Sequence, residues 1–447
     1  MFNALTSEIF FATAFFSFPI AIFATGLYLG HTFTKISVCN ILLVSSFLFA
    51  YIGIAPLFYH WDEQRWLAGV NDRQLMWSML LMSTVAIFFF FLGSLVGTDE
   101  RATVKNAPPY DGYSYSKVRG CLLFMFPLYC LSLMLFIRAV ETPALFIALN
   151  LLEGDAGIAR GLMSTGFSGY HWYKTVNQDL LLFSTLVAVA YASRFGGTVW
   201  LAGAYCLLAF FSMVLTTEKA PAMWLIIGCY FVARLSRGYH YMSMRALVVG
   251  LFFILVILTM FYIIFMSIGL ERTSTAFLGI FSRVFAGSVQ PLYHYLEFAA
   301  QKDMFSGLTF PNPASLLPHE PVIFTQEVFA FVHPELLEKG FLGSMPVAFW
   351  GEAYLNFRWP GVVVVSFLIG IVARMIDRLF ASAVERGSVL SLSLYVYIIL
   401  RGKDLSVTGF SGYLFDSYLI AVVILFLCLH LICNQARHIE NIASHAH

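Results

Sequence analysis

An acid set among aromatics and a handful of isolated cations are the groups in this sequence with chemistry to offer. Glu352 stands in GSMPVAFWGEAYLNFRWPG (343–361), beside Phe349, Trp350 and Tyr354. A carboxylate partly withdrawn from water holds its proton more tightly and can serve as a general base. The neighbouring rings suit stacking on sugars, and they equally suit the aromatic belt of a membrane protein. Asp155 and His294 are the other candidates for moving a proton.

The cations fall in separate places. Lys219 closes the turn TTEK (216–219), just ahead of Pro221 and the start of an apolar segment. A helix N-terminus there attracts anions, although a lone lysine at a membrane edge also snorkels. Arg401 and Lys403 stand in RGKD (401–404), backed by Gly409 and Gly412. Arg272 and Arg283 bracket TSTAFLGIFS, and the neighbours of Arg283 are so apolar that its charge needs a partner. Arg160 lies in the glycine-rich stretch 138–178 with Glu153 and Asp155. Glycines at 154, 157, 161, 166 and 169 there permit positive φ and close approach of a ligand to backbone N–H groups. Each of these features also reads as a surface loop, a polar cap or a lipid-headgroup contact.

Cations gathered on one side, with no metal motif, fit a diphosphate carried on a lipid. Arginine grips phosphate bidentately, and several cations can neutralise a departing diphosphate without a divalent ion. Glu153-Gly154-Asp155 places two acids at i and i+2, but there is no DxD motif and no His/Cys spacing for zinc. No cofactor is expected. A transporter would instead place charge near the bilayer midplane in repeated halves; mid-segment charges are few here, Asp416 being one exception, and no half-repeat is visible.

Such residues must be held by membrane helices. The chain has 447 residues, of which 60% are hydrophobic and 11% charged, less than half the charge of a soluble domain. Roughly eleven segments reach bilayer length, near 9–30, 38–58, 75–96, 120–138, 179–194, 198–215, 221–235, 246–268, 359–380, 388–402 and 413–433. The first lacks the features of a cleaved signal and is expected to stay as a helix. The expected fold is an all-α polytopic membrane protein in three stretches. Residues 1–268 carry eight helices, 269–358 form a long external loop with interfacial helices, and 359–447 carry three helices and a tail. Within the loop, a helix from Ile280 onward is expected to break near Pro291, and Pro311, Pro313, Pro318, Pro321 and Pro334 forbid long regular structure beyond it.

Short connections with Lys35; Arg101, Lys105, Lys117 and Arg119; Arg194; Arg234, Arg237 and Arg245; Arg374, Arg378 and Arg386; and Arg437 alternate with cation-poor ones. The positive-inside rule makes that set cytoplasmic and puts the N-terminus and the long loop outside. A net charge of +1 excludes general attraction to nucleic acid. The seven cysteines lie in or at the edge of apolar segments and imply no disulfide framework.

TTEKAPAMWLIIG, FSRVFAGSVQPLYHYL, GSMPVAFWGEAYLNFRWPG and ILRGKDLSVTGFSG, in that order between apolar segments, resemble the Wzy-type O-antigen polymerases. The resemblance covers about 215–413, and the N-terminal half only by helix pattern. It implies a GT-C-like enzyme of the bacterial inner membrane that joins polyprenyl-diphosphate-linked oligosaccharide repeat units at the periplasmic face. It also implies a chain-length regulator as partner. On this resemblance Lys219, Arg283 and Arg401 would bind the diphosphate and Arg160 would match a basic external loop, with Glu352 in the aromatic segment. Family members often carry Gly where Phe357-Arg358-Trp359 stands. Neighbouring expectations are an O-antigen ligase using lipid A–core as acceptor, and a flippase.

Overall fold

The computed structural model describes residues 2–97, 113–140, 142–149, 151–163, 169–265, 278–316, 318–338, 343–386 and 388–434. Arg101, Lys105, Gly166, Arg272 and Arg437 lie outside the described residues. Among those described the chain is helical, apart from one isolated bridge between Tyr113 and Asn434. Seven stretches are long and apolar enough to cross a bilayer: Thr6–Tyr28, Val38–Phe58, Arg73–Ser94, Tyr115–Val140, Tyr170–Phe195, Phe349–Arg386 and Ser411–Cys433. The other four expected segments are also helical, at Val199–Leu215, Lys219–Ser236, Met244–Phe265 and Val389–Gly402, without meeting that standard over their described residues. The architecture is that of a multi-pass membrane protein.

Lipid, rather than a protein core, is the natural partner of much of this surface. Along Thr6–Tyr28 only 22% of the apolar window is buried, and Ile9, Phe10, Phe16, Ile20, Phe23 and Leu27 stand exposed. A helix so arranged is stable only where water is absent from its apolar side.

The chain divides into two compact units that draw on distant parts of the sequence. One comprises Met1–Arg101, Leu278–Arg378 and Arg401–Asp416; the other comprises Ala102–Phe277, Leu379–Leu400 and Ser417–His447. In the first, two glycines permit a close helix crossing. A Cβ on Gly93 would sit 2.1 Å from the Phe367 carbonyl oxygen, and one on Gly370 would sit 2.2 Å from that of Phe90. Small residues at such a crossing let backbones meet where lipid offers no hydrophobic drive. Helix N-termini in this unit are closed by side chains. Ser37 caps Val38–Ala50, and Asp377 accepts from the Val38 and Cys39 amides at 2.8 and 3.3 Å. These bonds satisfy donors that would otherwise be orphaned away from water.

Phe349–Arg386 is two helices joined at a sharp kink. Arg358 has φ 52° and ψ −146°, and Pro360 follows it. The kink strips the last carbonyls of the first helix of their usual donors, since Pro360 has no N–H to offer Asn356. The amides of Phe305 and Ser306 replace them, bonding Leu355 and Asn356 oxygens at 3.1 Å each. Arg358 itself donates to the Lys302 carbonyl at 2.7 Å and lies over the Tyr354 ring.

The expected break at Pro291 does not occur. A wide π turn covers Ser282–Ala286, and an α-helix then runs Gly287–Gln301 through the proline. Bonding register already changes at the end of the π turn, so the missing proline donor costs little there.

In the second unit, buried hydroxyls tie the helices together. Tyr205 donates to the Leu122 carbonyl at 2.8 Å, Tyr129 pairs with Ser184 at 2.8 Å, and Tyr397 donates to Asp179 at 2.7 Å.

A candidate anion-binding cavity

The π turn presents Arg283 to a cavity of about 400 Å³ in the first unit. Its wall includes Arg65, Arg283, Ser288, Gln290, Ser344 and Val407. Arg283 is exposed on that wall and makes no hydrogen bond or ion pair with any described residue. The turn is seated by Gly53, where a Cβ would fall 2.1 Å from the Phe285 carbonyl oxygen. A main-chain contact of this kind fixes the backbone of the turn that carries Arg283.

Arg65 is held differently. Asp62 caps the short helix Glu63–Leu67 and accepts from Arg65 Nε at 2.9 Å, and the Ser282 hydroxyl donates to the same carboxylate oxygen. Gln290 Oε1 accepts from Arg65 Nη1. A Cβ on Gly287 would meet Arg65 Nη2 at 2.7 Å, so the glycine leaves room for the guanidinium to lie across the helix. The wall carries two cations, and the Asp62 carboxylate bonded to Arg65 offsets one of them. Two guanidiniums and the hydroxyls of Ser288 and Ser344 form a donor set suited to phosphate oxygens.

Arg401 and Lys403 belong to the same unit, but their charges are already engaged. Arg401 pairs with Asp416, whose side chain is only 4% exposed, and Lys403 pairs with Asp404. Burial lowers the Lys403 pKa, and Asp404 opposes that shift.

Glu352 is sealed rather than open to the cavity. It is fully buried, accepts from the Thr309 hydroxyl at 2.6 Å and from the Ser411 amide at 3.0 Å, and leaves no room for a side chain at Gly409. Asn356 completes the cluster by donating to Thr309 at 2.8 Å and to the Glu352 carbonyl at 3.0 Å. Phe349 and Trp350 are buried as well, so their rings are not presented to a ligand. His294 is buried one helical turn from Gln290, with its Nδ1 bonded to Glu297 at 2.9 Å.

Three sequence candidates belong to the second unit. Asp155 is exposed and caps the short helix Ala156–Gly161, accepting from the Ile158 amide at 2.9 Å. Arg160 is exposed near the end of that helix. Lys219 is half-buried at the first position of Lys219–Ser236, and Glu218 before it accepts from Tyr170 at 3.4 Å.

Sequence reading missed Arg65. It stands in HWDEQRWLAGVNDR, where three acids balance two arginines and no cation stands out. The i,i+3 pairing of Asp62 with Arg65 was the readable signal, since it fixes a guanidinium at a membrane-edge turn.

A second, apolar recess of about 580 Å³ lies between Thr6–Tyr28 and Arg73–Ser94, lined by Ala14, Phe18, Ala21, Trp77 and Leu81 among others. Among the described residues no group of three His, Cys, Asp or Glu side chains is placed to hold a metal ion.

Comparison with known proteins identifies no relative. No family model matches the chain, and neither the curated proteins nor the solved structures contain a match.

Proposed function

We propose that this protein is a membrane glycosyltransferase that polymerises polyprenyl-diphosphate-linked oligosaccharide repeat units at the outer face of a bacterial inner membrane. The observation that carries the reading is Arg283, unpaired among the described residues, beside a braced Arg65 in a cavity of a unit built largely from bilayer-length apolar helices. Such a site favours a doubly charged anion delivered by a lipid, and the apolar recess in the same unit suits the lipid's chain. The order of the sequence motifs adds the glycan.

In the reaction proposed, a hydroxyl at the non-reducing end of a single lipid-linked unit attacks the anomeric carbon of the growing chain. The new glycosidic C–O bond forms as the bond to the diphosphate breaks, and the electron pair leaves with the diphosphate. Its developing charge falls against Arg283 and the outer nitrogens of Arg65, while the hydroxyl proton passes to solvent. Groups that meet charge appearing only in the transition state lower the barrier, whereas uniform binding of the sugars would not. Glu352 and its partners hold the 305–309 and 409–411 segments against the helix on this reading. The bond between Arg401 and Asp416 braces the second of these segments.

The test is polymerisation by purified protein supplied with lipid-diphosphate-linked repeat units and EDTA, read on a gel. A ladder that Arg283→Ala abolishes at normal protein level supports the reading. Transfer to added lipid A–core in place of a ladder would make the protein a ligase. No transfer at all would sink the enzyme reading and favour a transporter.

A further inference from the structure

A continuous chain of hydrogen bonds leads away from the cavity into the protein. Gln290 Oε1 accepts from Arg65 Nη1, and Gln290 Nε2 lies 3.4 Å from His294 Nε2. On the far side, His294 Nδ1 lies 2.9 Å from Glu297 Oε2. Carboxylate oxygens only accept, so Nδ1 carries the proton and Nε2 is the lone-pair acceptor for the Gln290 amide. The amide is thereby fixed with its oxygen turned to Arg65.

We infer that His294 and Gln290 are positioning residues through which a proton sets the anion affinity of the cavity. A protonated imidazole has no acceptor at Nε2. It presents N–H there, and the amide relaxes by turning its oxygen toward His294 and away from Arg65. Arg65 Nη1 is then released to a ligand, and the cavity gains one positive charge nearby. Both changes strengthen anion binding, so affinity rises as pH falls.

The surroundings fix where this occurs. Burial depresses the His294 pKa below the ordinary imidazole value, Glu297 pulls it back up, and His333 pushes it further down. The elements packed on the same helix bring Arg283 from the π turn, Arg73 from Arg73–Ser94 and Glu327 from Phe324–Val332, while Val38–Ala50 brings no charge. Neutral His294 is therefore the state above the ordinary imidazole range, and protonation occurs on its acid side.

The inference rests on the cavity as an anion site, and two probes separate it from the proposed function. Purified protein in detergent is titrated with radiolabelled sulfate and with a farnesyl-diphosphoryl sugar, both of fixed charge between about pH 5 and pH 8. Each is expected to bind about fivefold more tightly at the acid end. His294→Gln is expected to bind weakly and without pH dependence. Gln290→Leu frees Arg65 at every pH and is expected to bind more tightly than wild type near pH 8; a merely structural role for the amide would weaken binding instead. Absence of sulfate binding overturns the inference, as does pH-independent binding by wild type or a pH dependence that survives in His294→Gln. Sulfate binding with the expected dependence, but none of the diphosphoryl sugar, leaves the inference standing and sinks the proposed function. Diphosphoryl-sugar binding that is flat in pH does the reverse.

Discussion

Arg283 and Arg401 belong to the same unit and are both candidate anion-binding cations in the sequence, yet they are in opposite situations. Arg401 is tied to the buried Asp416, fifteen residues along the chain, and forms part of the brace of its segment. Arg283 has no partner among the described residues and stands on a cavity wall. The difference lies in what the surrounding chain supplies. No acid is placed against Arg283 among the described residues, whereas an ion pair such as that of Arg401 spends its charge on itself.

That contrast predicts opposite phenotypes. Arg401→Ala removes the cation bonded to the buried Asp416, and should cost about 2–4 kcal/mol of stability, the partial exposure of the arginine moderating the loss. Denaturation of the purified protein measures it. The double change Arg401→Met with Asp416→Leu should recover most of the loss, and failure to recover would mean that Arg401 has a role beyond its partner. Glu352→Ala comes next. It orphans the Thr309 hydroxyl and the Ser411 amide, for about 1–3 kcal/mol, again seen as stability rather than as a specific loss of turnover.

Arg283→Ala should leave stability within about 0.5 kcal/mol, because the side chain bonds to nothing in the described structure. It should still weaken diphosphoryl-sugar binding by about a hundredfold. Arg283→Lys sharpens the point: a lysine keeps the charge but loses the fork, so about tenfold is expected in the same assay. The smallest effect concerns Arg358. Replacing it with Gly relieves a positive φ that costs a side chain about 1 kcal/mol and gives up one bond to the Lys302 carbonyl. The net change in melting temperature should be near zero.

The sequence carried some of this well and some not at all. The helices were legible because a chain of this composition has few other ways to satisfy its backbone in lipid, and each expected segment holds a helix among its described residues. Arg283 stood out in the sequence by its apolar neighbours, and it lines the cavity. Asp416 was visible as a mid-segment acid, but its bond to Arg401 needed the fold. The sealing of Glu352 could not be read, because its partners come from positions 43 and 59 residues away. Arg65 was hidden by its own counter-ions, since local charge neutrality in sequence conceals which cation faces a cavity. Seven of the expected crossings reach a full apolar span over their described residues, whereas apolar runs such as Val199–Leu215 and Val389–Gly402 are helical but shorter.

The π turn at Ser282–Ala286 has a consequence for how this protein can be altered. A π turn is one residue more than an α turn requires, and each helical residue advances the side chains by about 100°. Deleting Val284 would let the segment wind as ordinary α-helix and would swing everything before it around the axis relative to Gln290 and His294. Arg283 would leave the cavity wall while every side chain in Gly287–Gln301 kept its place. Insertions and deletions here therefore act as a dial on the direction of one charge, and a single lost codon would do what no point substitution can.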